Sequence, residues 1–356
     1  MKVRKKELVD KINMVKGVIV SRTTLPILQC ISVREGYLIA SNGEMLLQVE
    51  LQGSEGESLI LTPSAYALIP EIDSDEIEIT QDNKQQLSIK GGKTISRFAS
   101  FDPETYPYAL KEESKEDTTV TVDAEDFTEA IKQVIWAVDD RKDEHRPMMR
   151  SIGIETRGEM LNFCGISNAQ LAWCQYPYNE KMEMALPATA ARRLVDLEPQ
   201  GKLVVAYNSK VVKFVTTDMI MIARLGEGKF MNYQTVFNNP LPSEAKVNKT
   251  DLLKALKRII LVRQNEQVPT VMTLKGDVMS IAVNDTSAQM AEDIALEGQA
   301  TQELRIGMNP RLVLKALKAI PEEAVTIKYD GATMPLYMTG GGFALKALTL
   351  PVHLNK

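Results

Sequence analysis

A chain of 356 residues with 44% hydrophobic and 25% charged residues has room for two or three globular domains, and its balance excludes a disordered polymer. The net charge of −5 argues against a protein that is basic all over and leaves room for one that is basic on a single face. Cys30, Cys164 and Cys174, with no CxxC spacing, fit buried thiols in a reduced, cytoplasmic setting; no apolar run reaches membrane-spanning length, and MKVRKKELVD lacks a signal-peptide core.

The first predicted element is a helix in VRKKELVDKINMV, where Leu8, Ile12 and Val15 fall on one stripe. Period-2 runs follow, ISVREG, YLIASN and MLLQVEL, joined by turn residues and read as hairpin strands. ILTPSAYALI then predicts a second helix opening at Pro63, cut short by Pro70, and EIEIT, LSIK and ISRFASF predict three more strands. The same order returns twice. Phe127, Ile131 and Val134 repeat the first stripe, then come SIGIETRG, MLNFCGISN and LAWCQY, a helix after Pro187, and LVVAYN, VVKFVTT and MIARLGE. Leu252, Leu256 and Ile259 repeat it again, followed by VMTLKG, VMSIAVND and QMAEDIAL, a helix opening at Pro310, and AVTIKYD, PLYMTG and FALKALTLPV. Thr62 and Asn309 are placed to cap their helices. A carboxylate recurs early in each first helix, Glu7, Asp126 and Asp251, and a polar corner, Ser41-Asn42, Ser167-Asn168 or Asn284-Asp285, precedes each third strand.

The copies open at Val3, Val122 and Val247, about 120 residues apart, which is the size of a small domain. The expectation is an α+β chain of three similar domains, 1–118, 119–243 and 244–356, each with two helices packed on antiparallel sheets. The borders fall in the charged stretch Lys111 to Asp117 and in Pro240 to Glu244.

Catalytic patterns are scarce. His145 and His353 lack a metal-ligand spacing. Gly91-Gly92-Lys93-Thr94 imitates the end of a phosphate loop, but Leu87 stands where that motif needs glycine, and a hairpin turn is the expected setting. Asp139, Asp140, Asp143, Glu144 and His145 could be imagined in a metal-dependent nuclease; interleaved with Arg141, Lys142 and Arg146, they read as a solvated loop. No enzyme, metal or cofactor is expected.

Positive charge on the helices is more telling. Lys5, Lys6, Lys11 and Lys16 lie on the first helix, Lys132 on the third, and Arg192 and Arg193 on the fourth. Lys249, Lys254, Lys257 and Arg258 lie on the fifth, and Arg311, Lys315 and Lys318 on the sixth. Repeated on equivalent helices, these point to one basic surface facing a polyanion. With no groove-reading element visible, binding would run through phosphates, independent of sequence and sensitive to salt.

This arrangement resembles the bacterial DNA sliding clamp family, the beta subunits of DNA polymerase III, from Met1 to Leu354. The most specific motifs are RTTLPIL from Arg22, FDPETYPY, GKFMNYQTVFNNP from Gly228, IGMNP from Ile306, and the ending LTLPVHL. The resemblance implies a head-to-tail homodimeric ring whose helices line a hole around double-stranded DNA. It also implies a processivity role, with DNA polymerase and clamp-loader subunits held through short peptide motifs. Arg22 matches a DNA-contacting arginine of the family. The family's basic pair on the fourth helix falls on Ala188 and Thr189, and Arg192 and Arg193 could stand in. With Lys11, Lys132, Lys254, Lys257, Arg258 and Lys315 these make up the implied DNA-binding set.

The implied peptide pocket has walls at Met149, Leu171, Val236, Leu348, Leu350, Pro351 and Val352. Arg146, Gln170, Met231, Thr235, Asn309, Leu312, Ala332 and Met334 surround them. The family's Asp-Gly-His-Arg-Leu run reads Ser167-Asn168-Ala169-Gln170-Leu171 here, a usual proline is Met231, a usual arginine is Thr235, and Asn355-Lys356 extend the tail, so altered peptide preference is expected. Ring closure is expected near Tyr106 to Leu110 and Ile260 to Arg263, including Val262. A divergent paralogue with other partners is the alternative within the same fold.

Overall fold

The computed structural model describes residues 1–108, 110, 118–139, 146–228, 230–238, 241–263, 268–285, 288–340 and 343–354. The expected charged linker 111–117, acidic positions 140–145 and tail residues 355–356 lie outside this set.

In the first third, β1 (Lys2–Arg4) runs straight into α1 (Lys5–Lys16), whose stripe Leu8, Ile12 and Val15 is buried. Strands β2 (Ile31–Arg34), β3 (Tyr37–Ser41), β4 (Met45–Glu50) and β5 (Ser58–Leu61) follow. After α2 (Pro63–Leu68) come β6 (Glu76–Gln81), β7 (Gln86–Gly91) and β8 (Thr94–Ala99). Pro70 has the expected effect: α2 stops after six residues and tightens into a 3-10 turn, Ile69–Glu71.

The second third repeats this as β9 (Thr118–Asp123), α3 (Ala124–Ile135), β10 (Ser151–Arg157), β11 (Met160–Ile166), β12 (Gln170–Pro177) and β13 (Glu183–Pro187). Then come α4 (Ala188–Asp196), β14 (Lys202–Tyr207), β15 (Val211–Val215), β16 (Met219–Arg224) and a short helix with no counterpart in the sequence reading, α5 (Gln234–Phe237). The last third runs β17 (Ser243–Asn248), α6 (Lys249–Val262), β18 (Thr270–Lys275), β19 (Val278–Asn284), β20 (Gln289–Ala295) and β21 (Leu304–Met308). It ends with α7 (Pro310–Ala319), β22 (Ala324–Tyr329), β23 (Leu336–Gly340) and β24 (Leu345–Thr349).

Helix ends follow local chemistry. Asn248 Oδ1 accepts the Asp251 amide at 3.2 Å at the start of α6, and Asn309 Oδ1 accepts that of Arg311 at 3.1 Å at the start of α7. Thr62, expected as a cap, makes no side-chain capping bond, and Pro63 alone sets the entry to α2. Caps contribute about 1 kcal/mol each. The stripe outweighs them: α6 buries Leu252, Ala255, Leu256 and Ile259, and each large side chain contributes about 1.5–3 kcal/mol. Between β2 and β3 both turn residues, Glu35 and Gly36, have positive φ (54° and 86°), the mirror-image turn whose twist suits a hairpin. Gly91 to Thr94 closes the β7–β8 hairpin, with Gly92 at φ 56°, so this stretch is not a strand-to-helix phosphate loop.

Strand pairing shows how the thirds are joined. One eight-stranded sheet has the order β5-β2-β3-β4-β16-β15-β14-β9, and the other β13-β10-β11-β12-β24-β23-β22-β17. Four-stranded sheets, β1-β6-β7-β8 and β20-β19-β18-β21, complete the set. Each third therefore supplies two four-stranded halves of the same internal order, and at two junctions a half from one third hydrogen-bonds to a half from the next. Compactness follows these joined sheets: residues 1–127 with 192–225 form one unit, and residues 128–191 with 226–356 another. The three cysteines are free and buried.

Candidate interaction sites

The basic residues divide by partner. Arg22, Lys254, Lys257 and Lys315 are exposed and have no ion-pair partner among the described residues. Lys11, half-buried, lies 3.8 Å from Asp218, and the exposed Lys132 lies 3.6 Å from Glu129 across one helical turn; pairs this long and this open to solvent hold a side chain weakly. Arg192 is half-buried.

Two arginines of the expected DNA set are otherwise engaged. Arg193 turns its guanidinium onto the end of α1, donating to the Met14 carbonyl and lying against Gly17, where any Cβ would overlap it. Burial pulls its pKa below the ordinary arginine value, and it serves as a charged cap on the negative end of a helix dipole. Arg258 forks onto Glu292 of β20, Nε donating at 2.8 Å and Nη2 also in contact. That hydrogen bond raises the Arg258 pKa and lowers that of Glu292. Neither pairing was visible in the sequence, because the partners lie far away along the chain.

An apolar site forms at the β12–β24 junction. Leu171 pairs with Leu348 across the two strands, and both belong to a cluster with Cys164, Ile166, Trp173, Tyr233 and Tyr337. Met149 and Val236 pack against it, so four expected pocket walls meet at one place. Around them Met231, Met334 and Leu350 are 45%, 41% and 40% exposed, unusual for such side chains unless something covers them. The tail is pinned alongside: Leu350 N donates to Ala169 O and Val352 N to Gly307 O, at 2.9 and 2.8 Å. Pro351 and Val352, with Ala332, Thr333, His353 and Leu354, line a small pocket of about 180 Å³.

The polar members hold the rim. Gln170 is 3% exposed and donates to the Leu312 carbonyl on α7 at 2.9 Å, tying strand to helix. Arg146 Nη2 donates to Asn168 Oδ1 at 2.8 Å, and Thr235 Oγ1 to Asn232 O at 2.8 Å. Asn309 acts as the cap of α7.

The residues expected near ring closure are mostly buried within the chain. Tyr106 and Leu110 are 3% and 2% exposed in a core cluster with Cys30, Ile39, Leu46, Ile60, Val211 and Ile222, not at an edge. Arg263 is buried, its Nε donating to Val268 O at 2.5 Å, and Val262 is half-buried. Leu261 on α6, inside the expected stretch Ile260 to Arg263, is 83% exposed, and the sequence reading missed Ile95 on β8, which is 67% exposed. A signal existed for Ile95: in TISRFA it shares a face with Arg97, an apolar residue on a polar face.

Among the described residues no three His, Cys, Asp or Glu side chains are grouped to hold a metal ion, and no helix is long and apolar enough to cross a membrane. Asp139 is buried beside Met149, its amide donating to the Met149 carbonyl at 2.9 Å.

Residues 235–352 match a family model described as DNA polymerase III beta subunit, C-terminal domain. The beta sliding clamp of Halalkalibacterium halodurans is 25% identical over 361 residues, covering 93% of each chain. That of Bacillus subtilis is 22% identical over 99% of this chain and 98% of its own. The crystal structure of the Bacillus subtilis DNA polymerase sliding clamp is similar at a TM-score of 0.90, with 19% identity over 99% of both chains. A Pseudomonas aeruginosa sliding clamp bound to griselimycin is similar at 0.89, with 18% identity over 99% of both.

Proposed function

We propose that this chain, a member of the bacterial DNA sliding clamp family, works as a DNA polymerase processivity factor by closing with a second copy into a ring around duplex DNA. A clamp is not an enzyme; its contribution is topological. The observation that carries the ring is the repeated half-sheet. Halves meet at β4–β16 and β12–β24, and the corresponding halves at the two ends of the series leave β20 and β8 as edge strands. An unpaired edge invites a partner strand, and here each end offers what the other lacks. The domains joined in this way are 1–118, 119–243 and 244–356.

The two existing junctions supply a register for the third. Leu46 faces Ile222, and Leu171 faces Leu348. Leu46 and Leu171 are the first residues of their strands to pair within the hairpin, as Gln289 is in β20. Leu348 lies three residues beyond the last pair of its hairpin, as Arg97 does in β8, and Ile222 lies three beyond Met219, whose carbonyl accepts the Thr216 amide at the turn. Gln289 of one copy then faces Arg97 of the other, Ala291 faces Ile95, and Asp293 faces Lys93. The facing pairs are exposed on both strands, and the last is of opposite charge. Ile95, and Leu261 on the helix that packs against β20, would be covered.

The DNA surface is assigned to Arg22, Lys254, Lys257 and Lys315, with Lys11, Lys132 and Arg192 as weaker contributors. Arg193 and Arg258 are left out because each already has a partner. Few, loose phosphate contacts suit a ring that must slide. The apolar site at β12–β24 is the docking place for short peptides from the polymerase and clamp loader, with Met231, Met334 and Leu350 as the surface to be covered. Retention on DNA tests the ring: clamp loaded on a closed circle should stay and leave when the circle is cut, whereas equal loss from both would overturn the proposal. Arg97→Cys combined with Gln289→Cys should give a covalent dimer with a short cross-linker, and no dimer at any concentration would refute the register.

A further inference from the structure

The wall of the apolar site that carries Met231, Thr235 and Val236 is a poorly supported piece of backbone. Among the described residues, Phe230–Asn238 pairs with no strand, and its backbone bonds are local ones, Tyr233 N to Met231 O, Val236 N to Tyr233 O and Asn238 N to Thr235 O, at 2.9, 3.2 and 3.4 Å. Four residues of helix cannot hold a wall in place alone. The wall must be positioned from behind, through side chains.

The group behind it is continuous. Tyr233 is 1% exposed and donates its hydroxyl to Glu155 Oε1 at 2.7 Å. Arg157 Nε sits 2.9 Å from that same oxygen, with its guanidinium 5.5 Å from the Tyr233 ring centre. Arg157 Nη1 then donates to Gln234 Oε1 at 3.1 Å, so one guanidinium touches both the anchor of the wall and the wall itself. Asn162 Oδ1 accepts from Trp173 Nε1 at 2.9 Å, and Trp173 packs on Tyr233 and Phe237 at ring distances of 5.9 and 5.7 Å. On the far side Tyr337 donates to the Val236 carbonyl at 3.1 Å. Burial, and next the bond to Glu155, push the Tyr233 phenol well above its ordinary range, so it stays a donor.

We infer that Glu155, Arg157 and Tyr233 are positioning residues that set the Met231–Val236 wall, so the affinity of the site for its peptide is tuned by residues the peptide does not touch. The inference rests on the peptide-docking reading above. A half-buried carboxylate shared by a phenol and a guanidinium loses a charge-assisted bond when either partner is removed, and the wall is freed to shift by the ångström that an apolar anchor can feel.

The test uses the full chain and a fluorescein-labelled peptide copied from the C-terminal tail of the same organism's replicative polymerase. Tyr233→Phe and Arg157→Gln should each weaken binding by about tenfold, the size of one lost hydrogen bond to a charged group. Arg157→Lys, which keeps charge beside Glu155 but not the fork to Gln234, should fall between. In a Trp136→Phe background, which leaves Trp173 as the sole tryptophan, both variants should also shift its emission. Retention on circular DNA should not change. Wild-type affinity in both variants would overturn the inference, as would a loss that tracks melting and DNA retention. A wild-type chain that fails to bind the peptide at high micromolar concentration would instead overturn the docking reading beneath it.

Discussion

The two strand junctions within the chain share a construction and differ in what covers them. At β4–β16, Leu46 faces Ile222. The segment after β8 folds back over this junction, burying Tyr106 and Leu110; the Tyr106 hydroxyl accepts from Ser41 N at 3.0 Å and donates to Cys30 O at 3.3 Å. Tyr108 adds a 2.6 Å bond with Ser32 Oγ. At β12–β24, Leu171 faces Leu348, and the corresponding segment also buries a tyrosine, Tyr233, but leaves Met231, Met334 and Leu350 uncovered. One repeat closes its groove with its own side chains; the next leaves it open. The docking site we propose is a structural junction from which a few covering residues have been withdrawn.

The strongest test of that contrast is removal of the cover. Tyr106→Ala deletes a fully packed aromatic and two hydrogen bonds, a change costing about 3–5 kcal/mol. Hydrogen exchange should show the loss concentrated in residues 1–127 and 192–225, with peptide binding at the other junction retained. Protection falling evenly across the chain would mean that the two junctions are not independent. At the open junction the expected effect is on binding and not on folding. Leu350→Asp places a charge on a half-exposed rim, so peptide affinity should fall by tenfold or more, about 1.4 kcal/mol, with the melting temperature unchanged. Unchanged affinity would show that the exposed leucine is not part of the site.

A subtler exchange concerns Met45 and Gln170, which occupy matching places at the start of β4 and β12, facing Ala223 and Thr349. Gln170→Met makes the open junction resemble the closed one and removes the bond to the Leu312 carbonyl. Chemical denaturation should show a loss of about 1 kcal/mol. A neutral result would mean that the apolar replacement packs well enough to offset the lost bond.

How far the sequence revealed all this depended on the range of each interaction. Helix and strand order was legible because side-chain periodicity is local: the stripes at Leu8, Phe127 and Leu252 and the alternation in β8 are set by residues within a turn or two of one another. The second-third helix α5 was missed because four residues carry no period. Arg193 and Arg258 were placed in the DNA-facing set, since a helical wheel cannot show a carbonyl of α1 or a carboxylate on β20. Tyr106, expected near ring closure, is buried in a core cluster; aromatic residues near a domain end suit an interface or a core equally. The apolar cluster was the most legible grouping: the family resemblance named Met149, Leu171, Val236 and Leu348 position by position, and these four do pack together. The Glu155–Arg157–Tyr233 group behind it left no motif.

The smallest expected effect lies at the third junction, the one we assign to two copies. Arg258 holds the Glu292 carboxyl below the usual glutamate range, chiefly through their hydrogen bond. A carboxylate with a depressed folded pKa adds stability above its unfolded value, about 4.3, and that contribution disappears as pH falls through the folded value. Both side chains are partly exposed, so the contribution is modest and screened by salt. Glu292 also lies on the edge that would receive β8, opposite Thr94 in the register derived above. Stability to chemical denaturation should therefore fall by a small increment as pH drops below about 4.3 in the wild type, and Glu292→Gln should flatten that part of the profile. If the variant keeps the wild-type acid limb, the carboxylate that titrates there is another one, and the pairing of Arg258 with Glu292 adds nothing measurable to this edge.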